Sequence, residues 1–444
     1  MAMHRLGLLD ALRALRAGTL DPAAYREACL DRARSWEPRL HAFAHLDAAA
    51  AVDAPGAPLA GIPVAIKDIV ATRDMPTTNG SPIHAGDVPR ADAEVVARLR
   101  ALGATIFGKT VSTEFAFRHP GPTRNPWNPG HTPGGSSSGS AAAVAAGIVP
   151  LALGTQTMGS VIRPAAFCGV VGFKPSYGAI PRTGVHPLAG SLDHVGFFTR
   201  AVADAAYALS LLAAASDADP HGLPLPPFRV GTEADLDIDL DLDLGRPPRL
   251  ALMRTSRWSE VEGAQQDLLL ATAERLRMAG AVVVETEWPQ AFDALWTIAA
   301  VILAAEASAT FGPLRDRWPT LVSEPLAGLI AEGRAVPAPD YVAALRRQRD
   351  LRAGLGRVLD GFDAVLTVPA PGAAPEGLAS TGDPGFNVPW TCLGAPALTL
   401  PVGFADSGLP LGIQLCADYR QDLRLLRVGR WCEAAIGREV RFPA

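Results

Sequence analysis

The feature that most constrains this chain is a pair of glycine- and serine-rich loops that flank one short helix and one short strand. The first loop reads TPGGSSSG at residues 132–139 and continues into SAAAVAAG, a helical stretch of small residues. The strand-like IVPLALG and the second loop, TQTMGS at residues 155–160, follow. Backbone amides in such loops can point together at an anion, including the oxyanion of a tetrahedral intermediate. The pair therefore predicts a site within the folded core and argues against a free linker, which would join two domains.

Helical and strand-like patterns alternate through the rest of the sequence. Residues 5–45 predict two helices with a turn near residues 18–22, and short apolar runs such as PVAIK and ATIF predict buried strands. Residues 290–355 carry long helical patterns of the kind that could roof a pocket. The alternating LDIDLDLDLG at residues 236–245 fits either an edge strand or an acidic connector. The alternation as a whole predicts an α/β fold with a largely buried sheet.

Charge and composition argue against several classes of function. The 40 basic and 45 acidic residues give a net charge of −5, and no run of Lys and Arg marks a nucleic-acid or membrane surface, so small molecules are the expected partners. The N-terminus lacks the pattern of a signal peptide, and the longest apolar run, residues 294–305, is shorter than the roughly 20 residues that span a bilayer. We therefore expect a cytoplasmic protein. The five cysteines are scattered, so we expect buried apolar side chains, with no disulfide frame, metal or cofactor.

Lysine is rare in this chain. Of the 40 basic residues only Lys67, Lys109 and Lys174 are lysines. Arginine stays protonated in proteins, whereas a desolvated lysine can become a neutral base. The three lysines are therefore candidates for chemistry, although each could also simply fit its site sterically.

Two short motifs match known patterns but lack the structural context that those patterns need. GATIFGKT, residues 103–110, has phosphate-loop spacing, but its first glycine ends a helical segment and a strand-like segment follows, the reverse of the required order. GSSSG, residues 135–139, has nucleophile-elbow spacing around Ser137, but no strand precedes it and the last histidine is His221. A serine nucleophile in this region would therefore need a base other than histidine.

Three longer segments together resemble the amidase signature family of serine hydrolases. They are GIPVAIKD at residues 61–68, TPGGSSSGSAAAVAAG at residues 132–147 and LGTQTMGSVIRPAAFCGVVGFKP at residues 153–175. The resemblance extends from the N-terminal helices to FNVPWTCLGAPALTLPVG at residues 386–403. It implies a single amidase domain over residues 1–444, with a signature core at about 60–215 and a variable helical pocket region at about 290–355. It also implies a large mixed, twisted sheet flanked by helices on both faces.

The resemblance assigns roles to individual residues. It implies that Ser160 is the nucleophile, that Lys67 is the base, and that Ser136 carries the proton between them after a non-proline cis peptide bond. A buried lysine with a lowered pKa can accept a serine proton through such an intermediate hydroxyl. The implied oxyanion hole consists of the backbone amides of Thr157, Met158, Gly159 and Ser160. Lys109 and Lys174 match family positions for which we expect structural roles.

The sequence departs from the family pattern near the nucleophile. Met158 stands where glycine is more common, so we expect its side chain to line the acyl pocket, and Gln156 replaces a common aspartate. Arg163 follows Ser160 by three residues instead of two, as in a malonamidase-like subgroup in which the arginine can grip a substrate carboxylate. We favour a structural salt bridge for Arg163 and keep substrate binding as the alternative. The remaining predicted pocket residues are tryptophans: Trp127 and Trp390 as substrate-binding residues, with Trp258 and Trp296 nearby.

The function implied is that of a metal-independent serine amidohydrolase acting through an acyl-enzyme on Ser160. The tryptophans favour aryl or apolar amides and anilides, and carbamates (urethanes) and esters are further candidate substrates for the same acyl chemistry. The alternatives are a hydrolase of small carboxylate-bearing amides and the amidase-type subunit of a glutamine-dependent amidotransferase. As a hydrolase, the protein is expected to be a monomer or a homodimer.

Overall fold

The computed structural model describes residues 3–47, 56–225 and 242–443. Most of the LDIDLDLDLG segment, residues 236–241, lies outside these ranges, so its prediction as an edge strand or connector stays a prediction.

The described residues form eleven β-strands in one mixed sheet. The strands are Phe43–Leu46 (β1), Pro63–Lys67 (β2), Thr105–Thr110 (β3), Leu151–Gln156 (β4), Val171–Lys174 (β5), His194–Thr199 (β6), Arg249–Met253 (β7), Val282–Thr286 (β8), Ala364–Thr367 (β9), Ala397–Phe404 (β10) and Pro410–Cys416 (β11). Their order is β1-β3-β2-β4-β6-β5-β10-β11-β9-β7-β8. Parallel pairs lie toward both ends of the sheet, and the centre is antiparallel.

Helices flank both faces of this sheet, which confirms the predicted α/β fold class. The helices in the described part of the chain are Leu8–Arg16 (α1), Pro22–Leu40 (α2), Glu94–Ala101 (α3), Ser138–Ala145 (α4), Ile162–Cys168 (α5), Val202–Leu212 (α6), Gly263–Met278 (α7), Ala294–Arg317 (α8), Glu324–Arg334 (α9), Ala338–Val358 (α10), Val388–Cys392 (α11) and Asp422–Ala435 (α12). α4 consists only of small residues and valine and is buried along its whole length. It lies against β2, β3, β4 and β6, so every side chain of β2 and β4 is buried.

The register of the sheet brings three chain segments to one edge. β2 runs parallel to both β3 and β4, with Lys67 opposite Thr110. The carboxyl ends of parallel strands meet at the same edge, so Lys67 lies beside the end of β4. β6 runs antiparallel to β4 with His194 opposite Gln156, which places the start of β6 at that edge as well.

One described helical stretch, Gln290–Arg317, is long and apolar enough to cross a membrane by length and composition alone. Within it, α8 packs against α9, α10 and α11 and buries Leu295, Ile302 and Phe311. Its apolar composition is therefore used for packing inside the fold.

Candidate active site

A cavity of about 580 Å³ contains the residues that the sequence motifs single out. Its walls come from residues 113–120, which follow β3, from residues 157–160 between β4 and α5, and from residues 379–384. Leu303 of α8 and Pro325 of α9 complete the lining, so the predicted helical region does contribute to the pocket. Ser136 and Ser160 both line this cavity.

Lys67, the last residue of β2, is completely buried behind Ser136. Its Nζ donates hydrogen bonds to Ser136 Oγ at 2.6 Å and to Thr155 Oγ1 at 2.7 Å. Burial lowers the pKa of Lys67 well below 10.5, an effect that the Asp193 carboxylate partly opposes. Lys67 is thus held as an amine whose neighbours are hydroxyl groups.

The serine-rich loop is fixed to β4 by its own side chains. The Gly135–Ser136 peptide bond is cis, as the family resemblance implies. Ser137 Oγ donates to the carbonyl of Thr155 at 3.1 Å and accepts from its amide at 3.2 Å. Ser138 Oγ donates to the carbonyl of Gly134, a residue whose φ of 84° favours glycine. These bonds hold Ser136 and the Lys67 partner Thr155 in one rigid unit.

The turn at residues 157–160 presents four backbone amides without acceptors. In the described part of the chain, no hydrogen-bond acceptor faces the N–H groups of Thr157, Met158, Gly159 or Ser160. The next two amides, of Val161 and Ile162, donate to Gln156 Oε1 at 2.8 and 3.0 Å. Unpaired N–H groups beside a cavity form a site suited to a developing negative charge.

Gln156 also holds the turn from the other side. Its Nε2 donates to Thr391 Oγ1 at 2.8 Å, and Thr391 Oγ1 donates to the carbonyl of Met158 at 3.1 Å. A neutral amide can donate and accept at once, whereas the carboxylate more common at this position could only accept. The departure at Gln156 therefore preserves the capping bonds and adds a link to α11.

Asp193, just before β6, binds the same turn through a side chain. Its Oδ1 accepts from Thr157 Oγ1 at 2.6 Å, and its Oδ2 accepts from the amides of Leu188 and Ala189 at 2.9 and 3.0 Å. Burial raises the pKa of Asp193 to about 6, although these hydrogen bonds lower it. The carboxylate joins the turn to Leu188, another residue of the cavity wall.

Arg163 lies in the cavity wall without the salt bridge that we favoured. Its Nη1 donates to the carbonyl of Gly382 at 2.8 Å, and its Nη2 donates to the carbonyl of Gly135 at 2.7 Å and to Thr381 Oγ1 at 3.1 Å. No acidic side chain lies within ion-pair distance among the described residues. The prediction of a structural salt bridge is therefore wrong, because main-chain carbonyls take the place of a carboxylate.

Comparison with known proteins agrees with this geometry. The sequence profile of the family described as Amidase matches residues 25–426. The chain belongs to the amidase family. It is 36% identical to a glutamyl-tRNA(Gln) amidotransferase subunit of Thermus thermophilus, over 95% of each chain, and 36% identical to the corresponding subunit of Chloroflexus aggregans, over 96% of each. Two solved structures are similar along nearly their whole length. They are the peptide amidase of Stenotrophomonas maltophilia (TM-score 0.81, 29% identity, 99% of each chain) and the glutamyl-tRNA(Gln) amidotransferase subunit of Thermotoga maritima (TM-score 0.82, 29% identity, 97% of this chain and 95% of the other).

Membership of the amidase family confirms the resemblance drawn from the three motifs. Amide C–N cleavage, by hydrolysis or by transfer of the amide nitrogen, is therefore the chemistry of this chain. In the described part of the chain, no group of three or more His, Cys, Asp or Glu residues could hold a metal ion.

The predicted tryptophan pocket is not found at this amidase site. Trp127 donates from Nε1 to the carbonyl of Cys168 at 2.8 Å and lines a separate cavity of about 380 Å³ with Phe404. Trp390 is fully buried, with its ring 6.1 Å from that of Trp288. Neither Trp258 nor Trp296 lines the cavity around Ser160. The prediction of Trp127 and Trp390 as substrate-binding residues is corrected, because both rings are used in packing.

Met158, in contrast, lines the cavity as expected for its side chain. Sequence reasoning missed Thr155, Asp193, Thr391 and Asn387, all of which hold the site from behind. Thr155 lies within a recognised motif, so its proximity to Ser160 in sequence was an available signal. The other three lie far along the chain, and nothing in the sequence alone connects them with the turn.

Proposed function

We propose that this amidase-family protein is a serine hydrolase in which Ser160 is the nucleophile, Ser136 the bridge and Lys67 the base. The main support is the 2.6 Å hydrogen bond between Lys67 Nζ and Ser136 Oγ, formed by a buried lysine with a lowered pKa. The cavity that contains Ser136 also contains Ser160 and the four unpaired amides. In the described part of the chain the Ser160 hydroxyl has no hydrogen-bond partner, and catalytic hydrogen bonds often tighten only once substrate is bound.

The proposed reaction proceeds by proton transfer through the two hydroxyl groups. Ser160 Oγ attacks the amide carbonyl carbon as its proton moves to Ser136 Oγ, and the Ser136 proton moves to neutral Lys67. The amides of residues 157–160 stabilise the oxyanion. Collapse of the intermediate breaks the C–N bond, and the proton returns from Lys67 through Ser136 to the leaving nitrogen. Water then attacks the acyl-enzyme by the same route and releases the acid.

For the substrate, we propose apolar or aryl amides and anilides, with carbamates and aryl esters as further substrates. Phe117, Leu303, Pro325 and Met158 supply an apolar wall to the cavity, which supports an apolar group on the acyl carbon. A chromogenic panel of an anilide, an aryl ester and an aryl carbamate tests this assignment. Activity confined to charged primary amides would contradict it.

A second candidate is the amidotransferase subunit, which the comparisons favour over the arylamide hydrolase. Eight curated relatives, at 34–36% identity, carry the name of that subunit. In this case the protein would act on glutamine and would work with partner subunits. Glutaminase activity of the isolated chain, together with co-purification of further chains on gel filtration, would select this candidate.

A third candidate is a hydrolase of small carboxylate-bearing amides. It is favoured by Arg163, which lines the cavity and whose buried Nε has no hydrogen-bond acceptor in the described part of the chain. Malonamate and succinamate belong in the substrate panel for this reason. A preference for them over a neutral anilide would support this candidate.

Labelling with a sulfonyl fluoride tests the nucleophile independently of the substrate. A mass shift on the peptide that contains Ser160, lost in Ser160→Ala, is the expected result. Active enzyme that acquires no adduct at Ser160 would refute the proposed mechanism. The cytoplasmic location remains a prediction.

A further inference from the structure

Arg163 joins the catalytic loop to the opposite wall of the cavity. One guanidinium contacts the carbonyl of Gly135 at 2.7 Å, Thr381 Oγ1 at 3.1 Å and the carbonyl of Gly382 at 2.8 Å. The Gly135 carbonyl belongs to the peptide that carries Ser136 on its nitrogen. Arg163 is therefore one bond network away from the proposed proton bridge.

The environment of Arg163 does not otherwise account for a buried charge. Arg163 is 4% exposed, and burying a cation without a counter-ion is costly. Burial lowers the pKa of Arg163 to about 10, with Asp383 acting in the opposite direction, so the side chain stays charged at neutral pH. The Asp383 carboxylate itself accepts from Arg257 Nη2 at 2.6 Å. The partners that Arg163 does have are the polar groups of the two loops.

Thr381 adds a steric contact to the hydrogen bonds. A Cβ placed on Gly135 would lie 2.6 Å from Thr381 Cγ2, so the threonine methyl group packs directly against this peptide. The Gly135–Ser136 peptide is thus enclosed by Thr381 on one side and held by the guanidinium on its carbonyl oxygen. Because the planar fork of arginine meets three acceptors in fixed directions, a lysine at this position could not reproduce it.

We infer that Arg163 is a positioning residue that fixes the Gly135–Ser136 peptide and thereby aims Ser136 between Lys67 and Ser160. This inference rests on the proposed serine mechanism and differs from the carboxylate-binding role. Both Nη atoms are already engaged by the protein, so the main contribution of Arg163 is to the geometry of the reacting groups. It acts on every substrate, whether charged or neutral.

The test compares Arg163→Lys with wild type on a matched pair of substrates, a neutral anilide and the same anilide bearing a carboxylate on its acyl chain. Misplacing a reacting group by about 1 Å costs about 10²-fold in rate, so we expect kcat to fall about 10²-fold on both substrates with KM within threefold. Millimolar guanidinium should partly restore kcat of Arg163→Ala. The matched control is Arg200→Lys, because Arg200 is also buried and donates to main-chain carbonyls, those of Leu6 and Val149. It should lose thermal stability and keep kcat.

A selective rise of KM for the carboxylate substrate, with kcat on the neutral anilide unchanged, would overturn the inference in favour of substrate binding. Unchanged kinetics on both substrates would also overturn it. If Arg163→Lys does not fold, Thr381→Val, which keeps the methyl packing and removes one hydrogen bond to a charged group, should lower kcat about 10-fold on both substrates; an unchanged kcat there would equally refute the inference. Failure of the proposed function is distinguishable, because it would appear as activity retained in Ser160→Ala.

Discussion

Replacing Gly159 by alanine should damage the reaction more than the fold. A Cβ on Gly159 would lie 2.4 Å from Asn387 Oδ1 and 3.0 Å from Pro384 Cβ, whereas ordinary contacts begin near 3.4 Å. The turn or the asparagine would therefore have to move by about 1 Å. Asn387 cannot move easily, because its Nδ2 donates to the carbonyl of Pro369 and to Gln414 Oε1, both at 2.9 Å. The displacement should thus fall on the turn that carries the four unpaired amides.

The expected magnitude follows from this displacement. Overpacking of a buried site costs about 1–3 kcal/mol of unfolding free energy, and loss of one oxyanion donor costs about 10²–10³ in kcat. We expect both effects in Gly159→Ala, measured by thermal unfolding and by steady-state kinetics on an anilide substrate. Asn387→Ala in the same chain should restore part of kcat, since it removes the atom in contact.

Gly328→Ala is the matched control for this experiment. Gly328 lies on the exposed side of α9, and a Cβ there would meet nothing within 4 Å. Alanine should stabilise that helix by about 0.5–1 kcal/mol and leave kcat unchanged. If Gly159→Ala keeps kcat/KM within threefold of wild type, the turn at residues 157–160 does not position the reacting carbonyl, and the oxyanion assignment is refuted.

Four further predictions concern the groups around the base. Lys67→Ala should lower kcat by several orders of magnitude, and wild-type kcat/KM should rise with pH to a plateau well below pH 10.5, because only the neutral amine accepts a proton; steady-state kinetics across pH would contradict this if the rate rose through pH 10.5. Lys67→Met should become more stable than wild type as pH falls below 10.5, since the unfolded wild type binds a proton that the folded state excludes; the difference in denaturant unfolding should grow by up to about 1.4 kcal/mol per pH unit, and a difference independent of pH would contradict it. Thr155→Val should lower kcat about 10–100-fold by removing the second Lys67 partner, and kinetics within twofold of wild type would be the contrary result. Thr391→Val should lower kcat on every substrate by releasing the Met158 carbonyl, whereas a change in KM alone would point to a substrate contact.

Local sequence patterns predicted the elements that are buried or amphipathic along their length. β2 and β4 are continuous apolar runs, and both were predicted as strands. β6 reads HVGFFT and β11 reads PLGIQLC, and their glycines and polar residues hide the strand pattern. The antiparallel centre of the sheet could not be predicted, because pairing between strands far apart in sequence depends on the whole fold.

The candidate site shows the same division. Lys67, Ser136 and Ser160 lie in motifs with fixed spacing, so the sequence identifies them by resemblance. Asp193 reaches Thr157 only because β6 pairs with β4 in a particular register, which no local pattern encodes. The tryptophan prediction failed because composition says that aromatic side chains exist and does not say which way they face.

The contacts of the three lysines explain why Lys67 is the one suited to act as a base. A neutral amine has a lone pair and needs a neighbour that can donate to it, and hydroxyl groups can donate or accept. Lys67 Nζ contacts the hydroxyls of Ser136 and Thr155 and no carbonyl within hydrogen-bonding distance in the described part of the chain. Lys174 Nζ donates to the carbonyls of Pro175 and Ala395, which can only accept, so losing its proton would set a lone pair against them. Lys109 Nζ donates to the carbonyl of Val70 and lies 3.7 Å from the Asp68 carboxylate, which favours its charged form. All three lysines are buried and all three have lowered pKa values, so desolvation alone does not distinguish them. The chemistry of their partners does, because only at Lys67 can the neighbouring groups reverse the direction of the hydrogen bond when the proton moves.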